Sequence, residues 1–283
     1  MKTIRETGMK GLFFLSACSS IFAVFFICLF MFMNGVPTIK EIGFFNFIFG
    51  TSWQPLNNIF GIFPMIVGSI YVSGLAMLIG IPIGILSAVY MVYYCPKKIY
   101  PYYKQAVNLL AGIPSIVYGF FGLVVMVPLI RTYVGGSGKG VLTSAILLGI
   151  MVLPTIISVC ESSLQASSKS YYEGALALGA THERSIFKAC LPAAKSGIMT
   201  AIILGVCRAI GESMALNMVA GNQAIIPESL VSGVRTLTTN IVLEMGYATD
   251  MHRQALIATA VVLFAFILII NLSFAILKRR NKR

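Results

Sequence analysis

Charged residues are scarce in this chain. Asp, Glu, Lys and Arg make up 11% of its 283 residues, against roughly 25% in an average soluble domain. Hydrophobic residues reach 58%, and the mean hydropathy is +0.88. A water-soluble globule of this length cannot enclose so many apolar side chains in its core. The composition therefore excludes a soluble enzyme or binding domain and indicates a membrane protein.

Cysteine and histidine, which commonly bind metals, are also few and scattered. The six cysteines are Cys18, Cys28, Cys95, Cys160, Cys190 and Cys207. They form no CxxC pair, so we predict neither a disulfide framework nor a metal site, and we expect reduced, buried thiols. The two histidines, His182 and His252, are far apart in the chain. We find no nucleophile–base set and no cofactor motif, and we predict no catalytic residue and no cofactor.

One glycine-rich stretch imitates a nucleotide site. Residues 135–140 read GGSGKG, but the phosphate-loop pattern G-x-x-x-x-G-K-[ST] would require glycine at 133 and Ser or Thr at 140. The chain has Tyr133 and Gly140 at these positions. We therefore predict a flexible turn here and no nucleotide-binding site in the chain.

Long apolar runs are abundant. A transmembrane α-helix needs about 20 apolar residues, and six runs reach that length. They are Gly11–Met33, Pro64–Met91, Val107–Ile130, Val141–Leu164, Ile198–Ala220 and Gln254–Leu277. The first run lacks a small-residue cleavage site and is interpreted as a retained span, followed by a turn at residues 34–37. These runs predict an all-α polytopic membrane protein with six transmembrane helices.

Lysine and arginine are distributed unevenly between the two sides of this predicted topology. Of the 21 basic residues, 15 lie on one side and 5 on the other, while Arg208 lies inside a span. The positive-inside rule then places both termini and the 92–106 and 164–197 loops in the cytoplasm, in a multi-pass protein of the cytoplasmic membrane. No basic aromatic patch accompanies the net charge of +12, so we predict no nucleic-acid partner.

Two of the outward segments carry apolar side chains. Segment 34–63 contains a cluster of aromatic residues, which we interpret as part of an aromatic belt in the membrane interface. The cluster is Phe44, Phe45, Phe47, Phe49 and Trp53. Segment 221–253 has apolar residues at near-helical spacing, which predicts a short amphipathic helix on the outer surface.

Arg208 and Glu212 are the charges that stand out within the spans. A third, Glu161, lies close enough to a cytoplasmic end to reach the interface. Counted from Ile198 at 1.5 Å per residue, Arg208 lies roughly 15 Å deep in a hydrocarbon core about 30 Å thick. The spacing i, i+4 puts Arg208 and Glu212 on one helix face, where we expect them to form an ion pair.

Ionisable residues inside a membrane indicate function more often than stability. We predict a substrate path in which Arg208 attracts an anion and Glu212 prevents it from binding too tightly. Ser213 and Asn217 would add neutral hydrogen bonds. A cation or proton path through Glu212 is one alternative, and an ion pair that only fixes helix packing is another.

The polar stretch between the fourth and fifth spans predicts two short helices. Ser170-x-x-Glu173 has the spacing of a capping box and Gly179 that of a left-handed helix end, so we expect a helix over Tyr171–Leu178. A second helix is expected over residues 182–189 and should break at Leu191-Pro192. A short, capped helix between two spans indicates a surface that a partner contacts.

This stretch resembles the cytoplasmic EAA loop of ABC-importer permeases. The match consists of Glu173, Ala175 and Gly179, followed by Leu191-Pro192, although Gly174 replaces the first alanine of the motif. In that family the loop docks on a separate ATPase subunit. The resemblance therefore implies a coupling surface, which we assign to Tyr171, Tyr172, Glu173, Gly174, Ala175, Leu176, Gly179 and Ala180.

Three further stretches are similar to the phosphate-specific permeases of ABC importers, C-subunit type. They read FGTSWQP from residue 49, AGIPSIVYGFFG from residue 111 and RAIGESM from residue 208. The resemblance implies the type I, MetI-like architecture and no enzymatic activity in this chain. It also implies a second permease subunit, two copies of a cytoplasmic ATPase and an extracytoplasmic phosphate-binding protein as partners.

The domain organisation follows from these assignments. We expect an N-terminal segment over residues 1–63, a permease core over 64–277 with a coupling loop at 165–196, and a basic tail over 278–283. Other oxyanions, namely phosphonate, sulfate or molybdate, stay open as substrates. A secondary ion-coupled carrier and a non-transporting scaffold are the alternatives from other classes, and the capped loop argues against both.

Overall fold

The computed structural model describes residues 2–167 and 169–280, with side chains except at residues 2–5, 7 and 277–280. Helices make up most of the described residues. They are α1 (Lys2–Ile42), α2 (Phe44–Phe49), α3 (Phe63–Val89), α4 (Tyr100–Gly112), α5 (Ser115–Phe121), α6 (Val127–Tyr133), α7 (Val141–Ala166), α8 (Lys169–Ala177), α9 (His182–Ser185), α10 (Leu191–Ala193), α11 (Lys195–Gly211), α12 (Met214–Val219), α13 (Leu237–Glu244) and α14 (Asp250–Arg280).

Shorter elements join some of these helices. Two strands, β1 (Trp53–Gln54) and β2 (Ile59–Phe60), form a small antiparallel hairpin around a 3₁₀ turn at Pro55–Asn57. Turns of π-helix lie at Tyr90–Tyr94, Gly122–Met126 and Ile186–Cys190. The all-α prediction is confirmed, because the described residues are mainly helical and their β-structure is limited to this hairpin and an isolated bridge between Gly221 and Val234.

Within residues 2–167 and 169–280, five helical stretches are long and apolar enough to cross a membrane. They are Gly8–Ile42, Phe63–Tyr94, Ser115–Tyr133, Val141–Ala166 and Asp250–Ile276. A sixth span arises if the bent pair His182–Ala193 and Lys195–Gly211 counts as one, and these two parts meet at 71°. The predicted number of spans is therefore reached, but the fifth is not the straight helix expected over Ile198–Ala220.

The first helix is longer than predicted. Residues 34–37, expected to form a turn, lie inside α1, which continues to Ile42. Asn34 Nδ2 donates to the carbonyl of Phe30 at 2.7 Å, a bond made within the helix. Gly35 lies so close to α14 that a Cβ there would be 2.6 Å from Val261 Cγ2. Packing against α14 therefore maintains the helix through a sequence that favours a turn.

The centre of the fold is the contact between α3 and α7. Gly80 and Gly84, the GxxxG pair of α3, face Val152 and Ile156 of α7. A Cβ on Gly84 would lie 2.6 Å from Ile156 Cγ2, so the two backbones approach as closely as small residues permit. The GxxxG spacing thus indicates packing within this chain. The largest cluster of buried apolar residues is built around this contact.

The third predicted span begins later than expected. Val107–Ile130 was predicted as one helix, but α4 ends at Gly112 and α5 begins at Ser115, after Pro114. Pro114 disfavours helical backbone in the residue before it, and Ile113 is extended there. The hydroxyl of Tyr118 donates to the carbonyl of Leu110 at 2.9 Å across the elbow. The crossing helix is therefore Ser115–Tyr133, and α4 is a separate cytoplasmic-side element in the predicted topology.

The outer aromatic segment is partly buried. Phe44, Phe45 and Phe49 are exposed, as a membrane-interface segment requires. Phe47 and Trp53 are buried, and the indole Nε1 of Trp53 donates to Glu244 Oε2 at 2.8 Å. The prediction of an aromatic belt is therefore wrong for Trp53, because its polar atom has a buried carboxylate as partner.

The predicted helix of the last outer segment is α13, but it does not lie on the surface. Its first four residues, 237–240, are buried. Thr236 and Thr239 close its N-terminus as a capping box, and Ser69 Oγ of α3 accepts from the amide of Leu237 at 3.0 Å. The N-terminal half of α13 is thus buried and capped by threonine hydroxyls. A helix in the membrane interface would instead present an apolar face to the lipid.

A pair of glycine substitutions tests the central contact. Gly84→Val should lower the free energy of unfolding by about 1–3 kcal/mol, because the new side chain overlaps Ile156. Gly74→Val is the matched control, since a Cβ on Gly74 of the same helix meets nothing within 4 Å. Thermal unfolding of the purified protein in detergent measures both. Equal shifts would contradict the close approach of α3 and α7.

Candidate functional site

A helix break separates the two predicted intramembrane charges. Helix α11 ends at Gly211, Glu212 is extended with φ −71° and ψ 131°, and α12 begins at Met214. Arg208 and Glu212 therefore do not share a continuous helix. The predicted ion pair between them is absent from the structure, because i, i+4 proximity requires unbroken helix through both residues.

The carboxylate of Glu212 caps the helix that follows it. Glu212 Oε1 accepts from the amides of Ser213 at 3.2 Å and Ala215 at 3.1 Å. Amides in the first turn of a helix have no partner within the helix, and a carboxylate there is electrostatically favourable. The main-chain carbonyl of Glu212, freed by the break, accepts from Thr238 Oγ1 at 2.8 Å. The carboxylate of Glu212 thus binds the start of α12, and its main-chain carbonyl binds Thr238 of α13.

Arg208 is left with a neutral partner. Its Nη1 donates to Thr155 Oγ1 of α7 at 3.0 Å, and the side chain is half-buried. The ion pairs within residues 2–167 and 169–280 are Lys104–Glu161, Arg235–Glu244 and His252–Glu244, none of which involves Arg208. A guanidinium carries five N–H donors and is always charged, so most of its hydrogen-bonding capacity stays available to a ligand.

The two neutral residues predicted for the same path lie at the start of α12 and within it: Ser213 is its N-cap residue, and Asn217 lies inside the helix. The backbone carbonyl of Ser213 accepts from the amide of Asn217 at 2.9 Å. Asn217 Oδ1 accepts from Asn222 Nδ2 at 2.9 Å, so this side chain is tied to the outer turn that follows. Both side chains are half-buried. Ser213 and Asn217 are therefore close to the break through the chain, with Asn217 directed towards its outer end.

Sequence reasoning missed two hydroxyl residues at this site. Thr155 binds Arg208, and Thr238 binds the carbonyl of Glu212. A single threonine in an apolar span or loop carries no distinctive pattern, because its role depends on residues distant in the chain. The charge of Arg208 within a predicted span indicated where the site lies. It did not indicate which residues bind Arg208 and Glu212.

The coupling loop has the predicted helix with a different start. Helix α8 begins at Lys169, so Ser170 lies inside its first turn and is not the N-cap of the predicted capping box. Gly179 has φ +81°, and its amide donates to Leu176 at 2.9 Å, while Ala180 donates to Ala175 at 3.1 Å. These two bonds form a Schellman motif, which confirms the predicted left-handed end at Gly179.

Helix α8 presents an exposed surface on the predicted cytoplasmic side. None of its residues is buried, and Tyr171 is 56% exposed. Leu178, the first residue after the helix, is 91% exposed. Glu173, Gly174 and Leu176 are exposed as well. Tyr172 anchors this helix to its neighbours, since its hydroxyl is 2.7 Å from His182 Nδ1 and its ring lies against Tyr93.

The second helix of the loop differs from the expected one. It begins at His182, where Thr181 Oγ1 accepts from the amide of Arg184, and continues through a π-helical turn to Ala193. The chain bends at Ala194 and not at Leu191-Pro192, because the π-helical turn Ile186–Cys190 directly before Pro192 adjusts the helical hydrogen bonds to the missing amide.

Glu161 is buried and does not reach the interface as predicted. It is 1% exposed and accepts from Tyr100, Lys104 and Gln165, the last at 3.3 Å. The hydrogen bond to Glu161 raises the pKa of Tyr100 above its ordinary value. A carboxylate with three donors satisfies its charge inside the fold. This cluster joins α4 to α7 near the coupling loop.

With the geometry described, the chain can be compared with known proteins. Residues 80–283 match the family described as binding-protein-dependent transport system inner membrane component. The chain belongs to this family. Helix α8, the break at Glu212 and the α3–α7 contact from Gly80 onwards all lie in the matched region.

Curated relatives of this family are similar over most of the chain. A probable ABC transporter permease protein, YqgH, of Bacillus subtilis is 37% identical over 93% of this chain and 89% of its own length. The phosphate transport system permease protein PstC of Mesorhizobium japonicum is 33% identical over 80% of this chain and 76% of its own. A probable phosphate transport system permease protein PstC of Methanocaldococcus jannaschii is 29% identical over 96% and 93%.

Solved structures support the predicted architecture. A chain of the MetNI methionine ABC transporter has a TM-score of 0.66 at 20% identity, over 82% of this chain and all of that chain. A chain of an amino acid ABC transporter has a TM-score of 0.57 at 17% identity, over 76% and 92%. These likenesses confirm the ABC-importer permease fold that the EAA-type loop implied.

A glycine pair tests the end of α8. Gly179→Ala should destabilise this end by about 1–2 kcal/mol, because a residue with a Cβ is strained at φ +81°. Gly174→Ala is the matched control within the helix, where a Cβ meets nothing within 4 Å and alanine favours helix. Amide hydrogen exchange of peptide 171–180 should be faster in the first variant and slower in the second. Slower exchange in both would contradict the Schellman motif.

Proposed function

We propose that this chain is the permease subunit of an ATP-driven importer that moves inorganic phosphate into the cell. The main observation behind the proposal concerns Arg208. Its guanidinium is half-buried near a helix break and donates a hydrogen bond to the hydroxyl of Thr155. Membership of the binding-protein-dependent transport family supports the transport role. Relatives named as phosphate permeases support the choice of substrate.

The chemistry of Arg208 suits an oxyanion. A cation within the membrane is costly unless a negative partner compensates it, and the carboxylate of Glu212 is occupied by backbone amides. The planar fork of arginine matches the oxygen geometry of phosphate, which accepts two parallel hydrogen bonds from it. A translocating phosphate would supply the missing charge for the time that it passes Arg208.

ATP hydrolysis takes place on a separate subunit in this proposal. The chain lacks a phosphate-loop sequence, and its exposed helix α8 provides a surface for docking. Two ATPase copies would contact α8 of this chain and its counterpart in a second permease subunit. An extracytoplasmic phosphate-binding protein would deliver the substrate. The uneven distribution of Lys and Arg supports cytoplasmic termini and a coupling loop on the same side.

A cation or proton path through Glu212 has less support. Both of the described hydrogen bonds to its carboxylate come from backbone amides at the start of α12, so this group is engaged in capping the helix. A cation would also pass a fixed positive charge at Arg208. The rival anions are sulfate, molybdate and phosphonate, which share the tetrahedral oxyanion chemistry and must be separated by competition.

Substitution of Arg208 tests the anion path. Arg208→Gln should reduce phosphate uptake roughly 10- to 100-fold, because a charge-assisted hydrogen bond contributes about 1.5–3 kcal/mol. Arg208→Lys should retain part of the activity, since it keeps the charge and loses the planar fork. Uptake into proteoliposomes with the partner subunits measures the effect. Size-exclusion chromatography of each complex is the control, and dissociation of the Arg208→Gln complex would show that Arg208 serves packing instead.

The energy source is tested separately. Uptake of labelled phosphate by the reconstituted complex should require ATP on the side of α8 and persist when ionophores collapse the ion gradients. Excess unlabelled phosphate should compete, whereas sulfate, molybdate and a phosphonate should not. Loss of uptake on gradient collapse would contradict an ATP-driven importer. Competition by sulfate or molybdate would move the substrate assignment to that anion.

A further inference from the structure

The structure shows the Glu212 side chain in one arrangement, and its i, i+4 spacing from Arg208 would allow a second. In the observed arrangement α11 stops at Gly211 and the carboxylate caps α12. If α11 continued by one more turn, the i, i+4 spacing would bring the same carboxylate to the guanidinium of Arg208. The two arrangements exclude each other, because Glu212 Oε1 cannot cap α12 once the residues after it join α11.

One side chain from another helix binds the break directly. Thr238 Oγ1 donates to the carbonyl of Glu212 at 2.8 Å, and Thr238 is 7% exposed. The hydroxyl of Thr236 lies 2.9 Å from Thr238 Oγ1. Since Thr238 uses its proton on Glu212, Thr236 is the donor of this second bond. Within a continuous helix the carbonyl of Glu212 would bind an amide four residues later, so Thr238 stabilises the broken form.

Helix α13, which carries Thr238, is held at both ends. At its start the amide of Leu237 donates to Ser69 Oγ of α3 at 3.0 Å. At its end Glu244 is 5% exposed and accepts from Arg235 at 2.6 Å and from Trp53 at 2.8 Å, with His252 Nε2 also 2.8 Å away. The hairpin, the outer loop and α14 thus determine together where α13 places its threonine.

We propose that Thr238 is a positioning residue for the anion site, and that it acts by keeping Glu212 away from Arg208. This inference rests on the proposed function, in which Arg208 binds the translocating phosphate. While Thr238 holds the Glu212 carbonyl, the guanidinium is free for the anion. When α13 withdraws, the turn after Gly211 becomes helical, and Glu212 pairs with Arg208 in place of the phosphate.

Charge competition makes this exchange effective. A carboxylate and a phosphate both bind a guanidinium through charge-assisted hydrogen bonds, so one displaces the other without leaving Arg208 unpaired. The site would be cationic while Thr238 holds the break and neutral after release. A structural change in the outer segment would therefore alter the affinity at Arg208 through the position of α13, because the two arrangements differ in their affinity for the anion.

The experiment measures binding of radiolabelled phosphate to the assembled permease–ATPase complex in nanodiscs, without binding protein. Thr238→Val, which is isosteric but cannot donate, should weaken binding roughly three- to tenfold, as expected for a lost hydrogen bond. Thr238→Ser keeps the hydroxyl and should stay within about twofold of the wild type. In a Glu212→Gln background, where the competing charge is gone, Thr238→Val should lose most of its effect. An equal loss in both backgrounds would overturn the proposal, because Thr238 would then act without Glu212.

Hydrogen exchange gives a second test that needs no ligand. If Thr238→Val allows α11 to extend, the amides of peptide 209–216 should exchange more slowly than in the wild type. Unchanged or faster exchange would overturn the proposed extension. A failure of the proposed function would give a different result. The wild type and Arg208→Gln would then bind phosphate equally, whatever the rate of amide hydrogen exchange at the break. Thermal unfolding of Thr238→Val and Thr238→Ser controls for a general loss of stability.

Discussion

A guanidinium inside a membrane bundle without a carboxylate partner is the constraint around which this protein is organised. Arg208 is in this position because α11 stops at Gly211 and because Glu212 caps the next helix. The energetic cost is limited by the hydroxyl of Thr155, which lies on the most buried of the membrane-crossing helices. In the proposed anion path, an anion that reaches Arg208 would meet a charge already in place, so no reorganisation would be needed to attract it.

The surroundings of the break explain why it can be maintained and changed. The close contact of α3 with α7 provides a rigid wall through Gly80 and Gly84, and Thr155 is held on that wall. On the outer side α13 reaches the break through Thr238, and the carboxylate of Glu244 fixes α13 to three outer segments. On the other side α8 stays exposed, with one tyrosine anchoring it to the bundle. In the proposed exchange, a movement of α13 reaches the break through the contact between Thr238 and Glu212.

Features with a local cause could be predicted from the sequence. The membrane spans follow from length and hydropathy, and the end of α8 follows from Gly179, because a left-handed residue and its two hydrogen bonds lie within five positions. The break at Glu212 has no such signal, since its carbonyl is satisfied by a residue distant in the chain. Trp53 and Glu161 were misassigned in the same way, because each binds a partner from a remote segment. The break predicted at Leu191-Pro192 was misplaced, since the chain bends at Ala194.

The distance between bound phosphate and the Arg208 guanidinium tests the anion path most directly. Solid-state NMR on the assembled complex, with ¹⁵N-labelled arginine and bound phosphate, measures it through ³¹P–¹⁵N dipolar coupling. The expected result is a strong coupling, typical of a hydrogen-bonded pair, that disappears in the Arg208→Gln complex while the complex stays intact. A phosphate that binds the complex without coupling to any arginine, or with a coupling that survives Arg208→Gln, would contradict the role assigned to Arg208.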